Sequence, residues 1–218
     1  MINKLTRRSF LARASCAFTA PAVLARRRPN ILLFFPDQHR FDWTGLNPDL
    51  DVRTPHLVSL ARRGVAVCWE TAGTCNPKLL DQAVELSLET GGCIKFDLKA
   101  YDRALYQALT GGSNEAVLEN FVRASRRFRV RPEPPLVVAS TLLVPGYVDA
   151  AEVGRIARFI AGVDPDIPYA LLGFAPQFAM SDLPPTSVRH AEEALEEARR
   201  AGLRRVRIGN RHLLGRDY

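Results

Sequence analysis

Cysteine is scarce in this chain, and the few present stand at the wrong intervals for a metal framework. Cys16, Cys68, Cys75 and Cys93 are the only four in 218 residues, and their spacings match no zinc motif. A chain of this length buries a sizeable core unaided, so a disulfide-stapled fold is not expected. Low-complexity tracts are missing too, which leaves an ordinary globular composition. No apolar run reaches the roughly 20 residues that a permanent membrane span needs. Acidic residues are absent from Met1–Arg28, where Lys4, Arg7, Arg8, Arg13, Arg26, Arg27 and Arg28 all fall. Those seven account for the whole net charge of +7, because the remainder holds 23 Lys and Arg against 23 Asp and Glu. A neutral body offers no broad phosphate-binding surface, so nucleic acid is not an expected partner. The basic run Arg123–Arg131 reads as a solvated face.

What is present begins with a tripartite N-terminus. Arg7-Arg8 precede Phe10-Leu11, and a weakly apolar stretch, Ala14–Ala25, follows. This layout resembles a twin-arginine export signal, which implies a periplasmic destination for a protein exported folded. A disordered basic arm is the alternative reading of this segment, and the cytoplasm is the alternative location for the protein. Residues 1–28 are assigned to this segment.

Residues 29–64 form a second piece. Asn30–Phe35 is a continuous apolar run that predicts a buried strand ending at Pro36-Asp37. Thr54-Pro55 predicts a helix start, with threonine as the cap and proline in the first turn, and Gly64 the stop. Arg28-Pro-Asn-Ile-Leu-Leu-Phe-Phe-Pro-Asp-Gln38 followed by Thr54-Pro-His-Leu-Val-Ser-Leu-Ala-Arg-Arg-Gly-Val65 resembles the start of sulfatases of the alkaline-phosphatase superfamily. That resemblance implies a divalent cation held by Asp37, a hard oxygen donor; a helix or turn cap is the other reading of this residue. Cys75-Asn76-Pro77-Lys78-Leu79 is similar to the family's nucleophile motif, but Leu79 stands where an arginine is expected.

From Val65 the chain alternates strands and helices. Strands are predicted at Val65–Trp69, Cys93–Leu98, Leu136–Leu143, Tyr169–Phe174 and Arg204–Ile208. Helices are predicted at Pro77–Thr90, Asp102–Leu109, Ser113–Arg127, Asp149–Ala161 and Ser187–Ala201. This rhythm means an α/β fold with parallel strands and right-handed crossovers, either a doubly wound sheet or part of a barrel. Function in such folds gathers at the carboxyl ends of the strands. Those ends carry Glu70-Thr71, Asp97-Leu98-Lys99, Val144-Pro145-Gly146, Gln177 and Asn210-Arg211-His212. Carboxylates with an ammonium suit a polar, zwitterionic ligand; pairing with neighbours or helix capping explains Asp97 and Lys99 equally well. Thr110-Gly-Gly-Ser-Asn114 reads either as a phosphate cradle or as a helix stop followed by a cap. His56 and His190 are expected at the surface.

Several segments in order carry a longer resemblance: Cys68-Trp-Glu-Thr-Ala-Gly73, Gly91-Gly-Cys-Ile-Lys-Phe-Asp-Leu-Lys-Ala100, Leu109-Thr-Gly-Gly-Ser-Asn114, Leu142-Leu-Val-Pro-Gly-Tyr-Val-Asp149, Pro176-Gln-Phe178, Met180-Ser-Asp-Leu-Pro184 and Val206-Arg-Ile-Gly-Asn-Arg-His-Leu-Leu214. They resemble radical S-adenosylmethionine (SAM) proteins, in particular the activating enzymes of pyruvate formate-lyase. The resemblance implies a partial (βα) barrel over residues 65–218 that binds SAM and a [4Fe–4S] cluster, with a glycyl-radical-type protein as substrate. It implies that Glu70, Thr71 and Asp97 form a polar cluster beside the cofactor and that Lys99 approaches its methionine end. The family's Cys-x-x-x-Cys-x-x-Cys loop and the glycine-rich segment after it are absent, and Ala175 stands where the pattern expects histidine. The sequence-level expectation is therefore an activase-like protein without its cluster loop, inactive alone. A sulfatase-like hydrolase fragment and a non-catalytic fusion or truncation product, joined near Gly64–Val67, are the alternatives.

Overall fold

The computed structural model describes Ser59 and residues 65–216. The expectations for residues 1–28, for the strand at Asn30–Phe35, for Asp37 and for the helix begun at Thr54 lie outside the described residues. Five strands form one parallel sheet: β1 (Trp69–Thr71), β2 (Ile94–Asp97), β3 (Val137–Leu143), β4 (Tyr169–Gly173) and β5 (Val206–Gly209), side by side in chain order. Between them run α1 (Pro77–Thr90), α2 (Arg103–Thr110), α3 (Glu115–Ser125), α4 (Ala150–Val163) and α5 (Val188–Arg200). Chain order without reversal decides between the two architectures left open by the rhythm. Right-handed crossovers that always step the same way deliver every helix to the same face. A doubly wound sheet needs a reversal of strand order, so this is a barrel segment with one helix-covered face.

The side-chain alternation follows. On β2, Ile94 and Phe96 are fully buried whereas Lys95 and Asp97 are half-buried. Phe96 meets Phe121 of α3 edge to face, with ring centroids 5.3 Å apart. Leu80, Ala83 and Val84 of α1, Val117 and Phe121 of α3 and Ile156 and Ile160 of α4 belong to the same core. The buried stripe of α5 is Ala191, Ala194 and Ala198, and side chains this small let α4 and α5 pack closely.

Caps set the helix starts. Asn76 Oδ1 accepts from Lys78 N at 2.9 Å with Pro77 in the first turn, Asp102 Oδ1 from Leu105 N at 2.8 Å, Asp149 Oδ1 from Glu152 N at 2.9 Å and Ser187 Oγ from His190 N at 3.1 Å. Each satisfies an N–H that the first turn leaves without a partner. The Cys75–Leu79 stretch that is similar to a sulfatase motif is here a loop and a capped helix start, with Leu79 buried. Gly111, in the left-handed region at φ 76°, ends α2, so Thr110–Asn114 forms a helix stop ahead of α3. Asn114 supplies no side-chain cap; its amide donates to Tyr101 O at 2.7 Å.

Two expectations are corrected. The first strand lies at Trp69–Thr71 rather than Val65–Trp69, because Val67 is held by α1 and not by the sheet: its N–H donates to Thr90 Oγ1 at 3.1 Å and its carbonyl accepts from Ser87 Oγ at 3.2 Å. His190 is half-buried rather than on the surface, with Nε2 2.8 Å from Val148 O. Arg123, Arg126, Arg127 and Arg129 are exposed, in keeping with a solvated face, and the run carries several partners. Arg123 pairs with Asp81, Arg127 with Glu85, and Arg129 with Asp164 and Asp166, while Arg131 donates to the carbonyls of Ser87 and Gly92. Among the described residues no helix is long and apolar enough to cross a membrane.

Candidate ligand site at the strand ends

Strand alternation places Glu70, Lys95 and Asp97 on the face that no helix of the described residues covers. Register pairs Glu70 with Lys95, and the two form an ion pair at 3.1 Å. Asp97 closes β2, and Lys99 reaches back to it through an Nζ–Oδ2 ion pair. Both side chains are about one-third exposed, at 34% each, so the pair stays open to a ligand. Asp97 Oδ1 is buried and has no hydrogen-bond partner among the described residues. A buried carboxylate oxygen without a donor costs free energy unless something supplies one. Asp97 Oδ1 is thus the one carboxylate oxygen of the strand-end cluster that is buried and unmet among the described residues.

Thr71 takes another position. It shares strand parity with Phe96, toward the helices, and its Oγ1 accepts from Gly73 N at 3.0 Å. The structure thus brings Asp97 and Lys99 together, sets Glu70 on the same face beside Lys95, and commits Thr71 to the turn after β1. Asn210-Arg211-His212 follow β5, three strand spacings from β2, or roughly 14 Å along the sheet.

Residues not singled out in the sequence hold the Asp97–Lys99 segment in place. Leu98 N donates to Ser140 O at 2.8 Å, and Thr141 Oγ1 donates to Leu98 O at 2.7 Å. Tyr169 OH donates in turn to Thr141 Oγ1 at 2.8 Å. Tyr169 is fully buried, and burial pushes its phenol well above the ordinary range, with the Thr141 hydrogen bond acting in the opposite direction. Beyond Lys99, Glu152 of α4 accepts from Tyr101 N at 2.5 Å and Asp102 N at 2.9 Å through one oxygen, and from Arg155 Nε at 2.6 Å through the other. Glu152 is entirely buried, so these donors are what make its charge tolerable there. Its place in the first turn of α4, three residues after the Asp149 cap, carries no sequence signal for this role. The threonine and tyrosine of β3 and β4 carry no such signal, because each is an ordinary strand residue.

No family model matches the sequence, and no curated protein matches it. Among solved structures the fold is similar to the crystal structure of a domain of pyruvate-formate lyase-activating enzyme from Bacteroides vulgatus, with a TM-score of 0.56 and 18% sequence identity. The likeness covers 71% of this chain and 90% of that one. At that identity it establishes the α/β barrel-segment fold and nothing finer.

Proposed function

We propose that this chain is a radical-SAM activase-like protein that keeps the strand-end ligand site and lacks the machinery for the cluster. The observation that carries the reading is the Asp97–Lys99 pair at the end of β2, with Asp97 Oδ1 buried and without a donor among the described residues. Its setting, a sheet segment like that of the activating-enzyme domain, supports it. The ligand is S-adenosylmethionine, whose methionyl amine supplies donors for Asp97 and whose carboxylate answers the ammonium of Lys99. Glu70, on the same face, adds a second carboxylate toward the cationic sulfonium, and Thr71 fixes the turn that follows β1.

The donor set does not fit a [4Fe–4S] cluster. A cluster with one open iron takes three thiolates, and no Cys-x-x-x-Cys-x-x-Cys occurs in the sequence. Cys68 and Cys93 flank the opposite ends of β1 and β2 from Asp97, and no group of three metal-ligating side chains gathers among the described residues. No radical step is therefore assigned to this chain. It binds the cofactor and, by the same reading, a glycyl-radical-type protein, without cleaving the sulfonium itself.

Equilibrium dialysis of the full-length protein against labelled S-adenosylmethionine tests this. Asp97→Asn removes a charged acceptor while keeping its shape, and weakens binding about 10- to 100-fold. Wild-type protein that does not bind, or an Asp97→Asn variant that binds equally well, sinks the assignment.

A further inference from the structure

The other ends of β1 and β2 hold a feature independent of the strand-end site. Cys68 immediately precedes β1 and Cys93 immediately precedes β2, and the register Trp69↔Ile94, extended by one residue, sets the cysteines side by side. Trp69 N donates to Cys93 O at 2.8 Å, so the strands are still paired at that rung. Equivalent residues on neighbouring strands are about 4.8 Å apart with side chains on one face, within the roughly 4.4–6.8 Å between Cα atoms that a disulfide spans. Each thiol is near enough to the other to perturb its ionisation. Cys68 is exposed and Cys93 half-buried behind it.

The surroundings are built around this approach. A Cβ on Gly92 would lie 1.9 Å from Val67 O, so only glycine lets the chain before β2 come this close to the chain before β1. Arg131 donates to Gly92 O and Ser87 O, which fixes its guanidinium beside the thiols. Its charge favours a thiolate at Cys68, Glu70 opposes one, and Lys95 tempers Glu70 through their ion pair.

We infer that Cys68 and Cys93 form a reactive dithiol that exchanges with small-molecule disulfides, Cys68 attacking and Cys93 resolving. The Cys68 thiolate, having given its proton to solvent, attacks one sulfur of RS–SR. That S–S bond breaks, and the departing RS⁻ takes up a proton. Cys93 then attacks the Cys68 sulfur of the mixed disulfide, expels the second RS⁻ and yields its own proton to it. Two electrons leave the protein as the Cys68–Cys93 bond forms, and RSSR becomes two RSH. The order of attack follows from exposure, since Cys68 faces solvent and Cys93 is half-buried; in support, the neighbouring Cys93 thiol lowers Cys68 to about 6 against the opposing effect of burial, and Cys93 itself is raised. The exposed sulfur is thus the nucleophile, and the shielded one waits.

Full-length reduced protein treated with oxidised glutathione, then alkylated and mapped by tandem mass spectrometry, tests the inference. Cys68 and Cys75 lie between the same tryptic sites, Arg63 and Lys78, so fragment ions must separate them. The expected product is a Cys68–Cys93 link, and Cys93→Ser should instead accumulate a glutathione adduct on Cys68. In the unmutated protein, iodoacetamide should alkylate Cys68 at a rate that changes less than about twofold between pH 7 and pH 9, where an ordinary thiol gains about 25-fold. Recovery of Cys68 and Cys93 unlinked, or an ordinary rise in that rate, overturns it.

Discussion

At Tyr169 a single hydroxyl links the core to the strand-end site. It donates to Thr141, which donates to the carbonyl between Asp97 and Lys99. Tyr169→Phe leaves Thr141 without that donor in a dry interior and should cost about 1 kcal/mol in urea denaturation. A pH effect accompanies it. Burial holds the Tyr169 phenol protonated in the folded state well above the value near 10 that it has when unfolded. Its contribution is complete below about pH 10 and is lost as pH rises from there toward the folded-state value. Urea midpoints between pH 8 and pH 11 should fall above pH 10 in the wild type and fall less in the phenylalanine variant. Equal slopes would remove Tyr169 from the account. Residues of this kind are illegible in sequence, since only the register of β3 on β4 shows that Tyr169 can reach Thr141.

Elements were legible where local chemistry fixes them. Pro77 and Thr90 bound α1 as the sequence predicts, because a first-turn proline and the left-handed Gly91 after it act within a few residues. Asn76→Ala should destabilise the protein by about 1 kcal/mol in thermal or urea melts, through the lost bond to Lys78 N. A change well under that would mean that α1 is held by its packing alone. The first strand was misplaced for a physical reason. Val65-Ala66-Val67 is apolar enough to be a strand, but pairing depends on a partner, and β2 begins only at Ile94, after Gly92 and Arg131 have drawn the chain ends together. Apolar pattern records burial, and Val67 is partly buried against Ser87 and Thr90 of α1 instead. The strand–helix rhythm by itself left a doubly wound sheet and a barrel segment open, and only the resemblance pointed to the barrel. Strand order alone separates them.

For the whole molecule, the helices of the described residues lie on one face of the sheet, and Glu70, Lys95, Asp97 and Lys99 supply the polar chemistry of the other; the proposed ligand would bind there. The sequence marked three of these four through resemblance, and their position at the strand ends through the βα rhythm. It did not reveal that Thr71 turns to the helix side or that Lys95 pairs with one oxygen of the exposed Glu70, because both facts belong to the pairing of β1 with β2. The same sheet places Cys68 and Cys93 at the amino ends of β1 and β2, the opposite ends from Asp97. Anaerobic reconstitution of the purified full-length protein with iron and sulfide, with bound iron counted per chain, tests the proposed lack of a cluster most directly. The account predicts no stoichiometric iron and no broad absorbance near about 400 nm. Roughly four irons per chain, together with reductive cleavage of S-adenosylmethionine, would contradict it.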